Sequence, residues 1–196
     1  MRELSWKLVP LHTPPVLRSC PRCDERTRFI SSDKFRINGQ GRRLDVWLIY
    51  RCEACKQTWN ATLLSRVTPE SIEPSLYQAF LHNDAATAWR YAFDAELLKK
   101  NQVEVDAKVE YRVEGERPDL AEVPEAWLQI AIGFELLPEV RLETLLAREL
   151  GLPRRAFAAL EAAGALVIEP EGRLDRRIRR PLVVRIATAG LRVERT

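Results

Sequence analysis

Four cysteines are the residues of this chain best suited to chemistry, and they form two Cys-x-x-Cys pairs, Cys20 with Cys23 and Cys52 with Cys55. Such a pair can be a redox dithiol, half of a metal site, or two buried thiols. A redox dithiol usually begins a helix that follows a strand, and neither pair has that setting. Four thiolates on two tight turns instead predict a tetrahedral zinc site, and because they fill the coordination shell the zinc would be structural. An empty or degenerate site is the remaining alternative.

The segment between the two pairs carries strand signals that would bring them together. Lys34–Ile37 and Leu44–Tyr50 alternate like strands, and Asn38–Gly39 between them is a hairpin turn signal. Thr58–Leu63 continues as a third strand. We therefore expect a zinc-ribbon-like β module over residues 1–66. Its sheet would hold four arginines on one basic surface, namely Arg36, Arg42, Arg43 and Arg51.

Residues 67–133 predict a middle module of helices and strands. A helix begins at Thr68–Pro69, and Asn83–Asp84 is suited to end that helix and to cap a second one at Ala88–Leu98. The strands expected after it are Val103–Tyr111 and Trp127–Ile132.

Known catalytic patterns are absent from the sequence. The only histidines are His12 and His82, and we interpret the cluster His82–Asp84 as helix capping and not as a polar active site. The chain has no glycine-rich phosphate loop, no Gly-x-Ser-x-Gly elbow and no His-Glu-x-x-His helix. These absences argue against the well-known enzyme classes and leave an enzyme with an unrecognised site in the middle module as an alternative.

Residues 134–196 predict a helix-helix-strand module. The leucines of Leu142–Leu150 form an apolar stripe, Gly151 ends that helix, and Pro153 suits the first turn of a second helix that ends before Gly164. Two strands are expected to follow, at Leu166–Ile168 and Leu182–Ile186. Two short helices joined by a turn with glycine are also typical of a DNA-reading helix-turn-helix.

The stretch Arg141–Leu166 resembles the RNA-binding domain named after ribosomal small-subunit protein four. Arg141–Glu143 is similar to that family's Arg-Leu-Asp opening, Leu150–Arg154 to its Leu-Gly-x-Ser-Arg junction, and Gly164 to its glycine before the first strand. The resemblance implies that RNA is contacted by arginines at the helix ends, which are Arg141, Arg154 and Arg155.

A dense run of arginines in the last module adds to this cationic surface: Arg173, Arg176, Arg177, Arg179 and Arg180. The net charge of +3 is distributed unevenly, because residues 1–66 have 13 basic against 6 acidic residues, residues 67–133 have 6 against 13, and residues 134–196 have 12 against 9. Binding to a polyanion would therefore use the two basic ends. Arginines without aromatic stacking partners favour structured or duplex RNA over single-stranded bases.

Hydropathy and the N-terminal residues bear on location. No window holds the roughly 18 consecutive apolar residues of a membrane helix, and the N-terminus lacks a signal-peptide pattern. We therefore expect a cytoplasmic protein that does not bind membranes.

A second resemblance rests on three segments, Cys20–Cys23, Leu44–Cys52 and Arg90–Asp94. They resemble a family of bacterial proteins known only as a domain of unknown function. That resemblance covers nearly the whole chain and implies no activity.

Together these features predict an α+β protein that binds RNA, with structured or ribosomal RNA as the partner and zinc as a structural cofactor. The alternatives are a protein-interaction adaptor with a structural zinc site, or an uncharacterised enzyme with a site in the middle module.

Overall fold

A computed structural model describes residues 1–40, 42–106, 108–120, 123 and 126–189. It contains both helices and sheets, as expected for an α+β protein. The chain divides into two compact units. We call His12–Val109 the cysteine unit, and Met1–Leu11 together with Glu110–Thr196 the terminal unit.

The regular elements are numbered in chain order. The strands are β1 Arg2–Pro10, β2 Val16–Cys20, β3 Glu25–Gln40, β4 Arg43–Cys52, β5 Thr58–Val67, β6 Glu104–Val105, β7 Tyr111–Glu114, β8 Trp127–Phe134, β9 Leu166–Glu169 and β10 Leu182–Ala187. The helices are α1 Pro74–His82, α2 Ala85–Ala92, α3 Ala95–Lys100, α4 Leu142–Leu150 and α5 Arg154–Ala162, with a short 3-10 turn at Pro69–Ser71.

The cysteine unit is built on an antiparallel sheet in the order β5-β4-β3-β2-β6. Side chains of β4 alternate as the pleat requires, with Val46, Leu48 and Tyr50 fully buried. The guanidinium carbon of Arg18 in β2 lies 4.6 Å from the ring centroid of Trp59 in β5, so these two long side chains meet across the two strands that separate β2 from β5.

Helices α1, α2 and α3 pack against one face of this sheet. The ring of Phe80 in α1 meets Phe35 of β3 edge to face at 4.9 Å between centroids. As predicted, Asn83 and Asp84 separate α1 from α2. Asn83 takes the left-handed conformation at the end of α1, and the Asp84 carboxylate accepts a hydrogen bond of 2.7 Å from the backbone amide of Thr87.

The terminal unit has a five-stranded sheet in the order β7-β1-β8-β10-β9. Strand β1 is parallel to β8, and the other pairs are antiparallel. One face of the sheet packs against α4 and α5, in a core that includes Trp6, Ile130, Leu146 and Phe157. In this unit α4 and α5 are followed along the chain by β9 and β10, and Gly151 ends α4 in the left-handed conformation.

A buried carboxylate lies in α4 of the terminal unit. The side chain of Glu149 has no exposed surface, and it accepts hydrogen bonds from Nε of Arg117 at 2.7 Å and Nε of Arg148 at 2.6 Å. The guanidinium of Arg148 also lies 4.3 Å from the ring centroid of Tyr111. Two arginines thus compensate one buried charge and connect α4 to β7 and to the segment after it.

Three local predictions are wrong. The hairpin turn does not fall at Asn38–Gly39, because Gly39 pairs with Leu44 and the connection lies between Gln40 and Arg43. The predicted helix Ala88–Leu98 is two helices, since Asp94 caps α3 and ends the continuity. The predicted strand Val103–Tyr111 contributes only β6 and the first residue of β7, which belong to different units; Ala107 lies outside the described residues.

The units group the chain differently from the three predicted segments 1–66, 67–133 and 134–196. Residues 1–11 belong with the C-terminal elements because β1 pairs in register with β8 from Arg2 to Leu8. Strand pairing between residues far apart in sequence is not readable from local pattern. Across the residues that the structure describes, no helix is both long and apolar enough to span a membrane.

Candidate metal centre and arginine surfaces

Both Cys-x-x-Cys pairs lie at one end of the sheet of the cysteine unit. Each pair begins at the last residue of a strand and continues into the loop after it. The first loop joins β2 to β3, and the second joins β4 to β5. The two loops contain the same kind of turn. The amide of Asp24 donates to the carbonyl of Cys20 at 2.9 Å, and the amide of Lys56 donates to the carbonyl of Cys52 at 3.0 Å. Asp24 and Lys56 both have positive φ, 57° and 64°.

The four thiols converge in a geometry that suits a metal ion. All four Sγ atoms lie within 4.8 Å of one another. Sγ of Cys20 is 3.5 Å from that of Cys55, and Sγ of Cys23 is 3.8 Å from that of Cys52. A tetrahedral site with metal–sulfur bonds of about 2.3 Å has sulfur–sulfur edges of about 3.8 Å. The cluster can therefore hold a metal ion with little rearrangement, and no pair is a disulfide.

Backbone amides stabilise the thiolate of the first cysteine in each pair. The amide of Cys55 and the hydroxyl of Thr27 donate to the sulfur of Cys52 and lower its pKa to about 6. Burial opposes ionisation of Cys20, but the amides of Cys23 and its neighbour outweigh burial and lower the Cys20 pKa. A hydrogen bond with Cys55 and burial raise the pKa of Cys23 to about 12. Each loop thus presents a preformed thiolate site, as a metal ligand requires.

Burial differs within each cysteine pair. Cys20 and Cys52 are buried, whereas Cys23 and Cys55 are half-buried. In β2, Arg18 lies between two rings, 4.6 Å from the centroid of Trp59 and 5.2 Å from that of Phe29. The sequence analysis did not identify this stacked cation, because the contact joins strands that are not neighbours in the sheet.

The arginine run of the terminal unit is folded against the start of α4. The amide of Leu142 donates to the carbonyl of Arg176 at 3.0 Å, and Arg141 forms an isolated antiparallel bridge with Arg177. The first amide of α4 is therefore used within the fold, and the run is attached to the helix instead of forming a free loop.

Three of the predicted RNA-contacting arginines have partners inside the terminal unit. Arg173 pairs with Asp175 at 3.2 Å, and Arg177 pairs with Glu139 at 2.8 Å. Nη1 of Arg176 donates to carbonyl oxygens of the preceding turn at 3.2 and 3.4 Å. Each of these guanidinium groups thus has a partner within the unit, although the side chains of Arg173 and Arg177 remain 85% and 49% exposed.

The other five predicted arginines are exposed. Arg154 donates to Oγ1 of Thr144 at 3.0 Å, and Arg141 makes one long bond of 3.4 Å to a backbone carbonyl. Among the described residues of the chain, no hydrogen-bond or ion-pair partner is found for the side chains of Arg155, Arg179 and Arg180. Arg154 and Arg155 form the first turn of α5, which has no side-chain cap.

The face of the cysteine unit's sheet opposite α1, α2 and α3 carries a second group of arginines. We call it the outer face, and its side chains on β3, β4 and β5 are Arg36, Arg43, Trp47, Ile49, Arg51, Thr58, Asn60 and Thr62. Trp47 pairs across the ladder with Arg36 on one side and Thr62 on the other. Arg42, also predicted on this surface, is exposed at the turn between β3 and β4. The sequence analysis missed Trp47, although the period of two in β4 places it on the side of Arg43 and Arg51.

Two surface cavities bear on enzymatic alternatives. One, of about 400 Å³, lies between α1 and α2. Its polar side chains are engaged in helix capping: Glu73 accepts from the amide of Leu76 at 2.9 Å, and Asp94 accepts from that of Leu97, also at 2.9 Å. The other, of about 810 Å³, is an open groove on the face of the terminal sheet opposite α4 and α5. Lys7 at its rim pairs with Glu135 at 3.4 Å. Among the described residues that line them, neither cavity includes a histidine or a cysteine.

Comparison with known proteins defines the family. The chain belongs to the family described as "Protein of unknown function (DUF1062)", whose model matches residues 37–171. The match includes the second cysteine pair and the helices α4 and α5, and it begins after the first cysteine pair. The comparisons with curated proteins and with solved structures each find no match. None of the three comparisons supports the resemblance of Arg141–Leu166 to the ribosomal RNA-binding domain.

Proposed function

We propose that this protein is a cytoplasmic RNA-binding protein whose four cysteines hold a structural zinc ion. The observation that carries RNA binding is the group of exposed arginines at the start of α5 and before β10. Arg155, Arg179 and Arg180 have no partner among the residues that the structure describes, and Arg141 and Arg154 are exposed with only single hydrogen bonds. Exposed guanidinium groups that have no carboxylate partner suit the phosphates of a structured RNA.

Zinc is the metal we propose, because a closed tetrahedral set of four thiolates is typical of structural zinc. The four sulfurs lie within 4.8 Å of one another, so no coordination position is left for substrate. Metal analysis of the purified protein should give one zinc ion per chain. Iron bound in its place, visible as thiolate-to-iron absorption, would refute the choice of metal.

RNA binding is tested with a hairpin RNA at low and moderate salt. Arg179→Gln with Arg180→Gln should weaken binding and reduce the slope of log K against log salt by about 0.9 for each lost phosphate contact. The matched control is Arg173→Gln with Arg177→Gln, which removes the same charge from arginines already paired with carboxylates. That control should change the slope less. Absence of binding at low salt by the wild-type protein would refute the proposal.

A further inference from the structure

The outer face of the cysteine unit combines cations with an aromatic ring. Arg43 and Arg51 lie on β4 four residues to either side of Trp47, which is about 13 Å along a strand in each direction. Arg36 lies beside Trp47 on the neighbouring strand, with its guanidinium carbon 5.9 Å from the ring centroid. Arginines therefore surround the half-buried tryptophan on three sides.

The charge of this face is not compensated. Asp45 lies on the same side of β4 as Trp47, and its carboxylate accepts hydrogen bonds from the amide of Arg66 at 2.9 Å and the hydroxyl of Ser65 at 3.1 Å, so it is used in the bulge of β5. Within the described part of the chain, Arg36 and Arg51 pair with no carboxylate, and Arg43 donates only to the carbonyl of Arg66. The occupant that complements this face is a polyanion.

The neighbouring polar groups fit an extended ligand. Thr58, Asn60 and Thr62 line the same face on the edge strand β5, next to Arg51, Ile49 and Trp47 in the ladder. Hydroxyl and amide groups beside an aromatic ring can meet the edges of unpaired bases, whereas a duplex keeps its base faces stacked inside.

We propose that the outer face binds single-stranded RNA, with a base stacked on Trp47 and the phosphates on either side held by Arg43 and Arg51. The outer-face proposal adds a second ligand class, single-stranded RNA, at a separate surface. It rests in part on the proposed function, because both concern binding of RNA.

The test measures binding of a labelled, unstructured oligouridine by fluorescence anisotropy. Trp47→Ala should weaken binding roughly 5- to 150-fold, the range that corresponds to loss of one base–aromatic stack. Trp47→Phe should retain affinity within a few-fold, and the quenching of tryptophan emission that the oligonucleotide causes in the wild type should be lost. Trp127→Ala, at an exposed tryptophan of the terminal unit, is the matched control and should change neither quantity.

The phosphate contacts are tested by charge. Arg43→Gln with Arg51→Gln should reduce the slope of log K against log salt by about 1.4, from about 0.7 per phosphate on a single strand. Lys99→Gln with Lys100→Gln removes two exposed charges from α3 and should leave the slope within half a unit of the wild type. Thermal unfolding of each variant establishes that it is folded.

The hairpin RNA and the oligouridine separate the two proposals. Binding of the hairpin without binding of the oligouridine would overturn the single-strand proposal and leave the proposed function standing. Binding of the oligouridine in a Trp47-dependent manner, without binding of the hairpin, would support the outer face and refute the role of the C-terminal arginines. Oligouridine binding that Trp47→Ala leaves unchanged in a folded protein would also overturn the outer-face proposal.

Discussion

Removal of the zinc ion proposed for the four cysteines should destabilise the cysteine unit. The expected amount follows from the length of the chain segment that the ion closes. A metal ion that joins the two cysteine loops closes a chain segment of 29 residues between Cys23 and Cys52. The chain-entropy relation used for disulfide cross-links gives about 3.6 kcal/mol for a loop of this length. For a unit of this size, His12–Val109, such a loss corresponds to a fall in melting temperature of roughly 15–30 °C.

The measurement compares three samples by circular dichroism during heating: the wild type, the wild type after removal of metal by a strong chelator, and Cys52→Ser. Both perturbed samples should melt earlier, and metal analysis should show that both have lost the ion. Ser19→Ala, an exposed residue beside Cys20, is the control for substitution at this end of the sheet. If metal-free Cys52→Ser melted within 2 °C of the wild type, the metal would not hold the two loops together, and the reasoning would be refuted.

Three further predictions concern side chains outside the sulfur cluster. Lys56→Gly should raise the free energy of unfolding in urea by about 0.5–1 kcal/mol, because φ of 64° strains any residue with a Cβ, whereas Lys56→Ala should bring no gain. Arg117→Met with Arg148→Met should lower the free energy of unfolding by about 3–5 kcal/mol, since the buried carboxylate of Glu149 then loses both partners, and a loss below 1 kcal/mol would show that this carboxylate is not buried in solution. The hydroxyl and amide of Thr87 hold the pKa of Asp84 below its ordinary value, so its stabilising contribution is full above about pH 4 and is lost as pH falls through the lower, folded-state pKa. Asp84→Asn should therefore flatten the acid limb of a melting temperature profile, and an unchanged profile would contradict this role.

Local signals predicted many elements of the fold correctly. The capping pair Asn83–Asp84, the glycine that ends α4 and the strand Trp127–Ile132 were all read from residues within a few positions of each other. The predictions that were wrong depend on competing local signals. Asn38–Gly39 is a sequence typical of a turn, but in the structure Gly39 pairs with Leu44 in the sheet. Asp94 interrupts a helical pattern because its side chain caps a new helix.

The candidate metal centre could be predicted from spacing alone, because the four cysteines form two Cys-x-x-Cys pairs and the sequence has no further cysteine. The status of individual arginines was not readable. Arg173 and Arg177 lie in the same run as Arg179 and Arg180, yet the first two pair with Asp175 and Glu139 and the last two do not. For Arg177 the reason is distance, because Glu139 lies about 40 residues earlier in the chain and leaves no signature in the local sequence.

The amino-acid sequence by itself determined the class of site and the local elements, because ligand spacing, capping and alternation act over a few residues. Only the tertiary structure decided that β1 joins the C-terminal half, that Arg18 lies between Phe29 and Trp59, and that Trp47 shares a face with unpaired arginines. These features depend on strand order and strand pairing. Both arise from burial of apolar surface across the whole unit and not from any single segment.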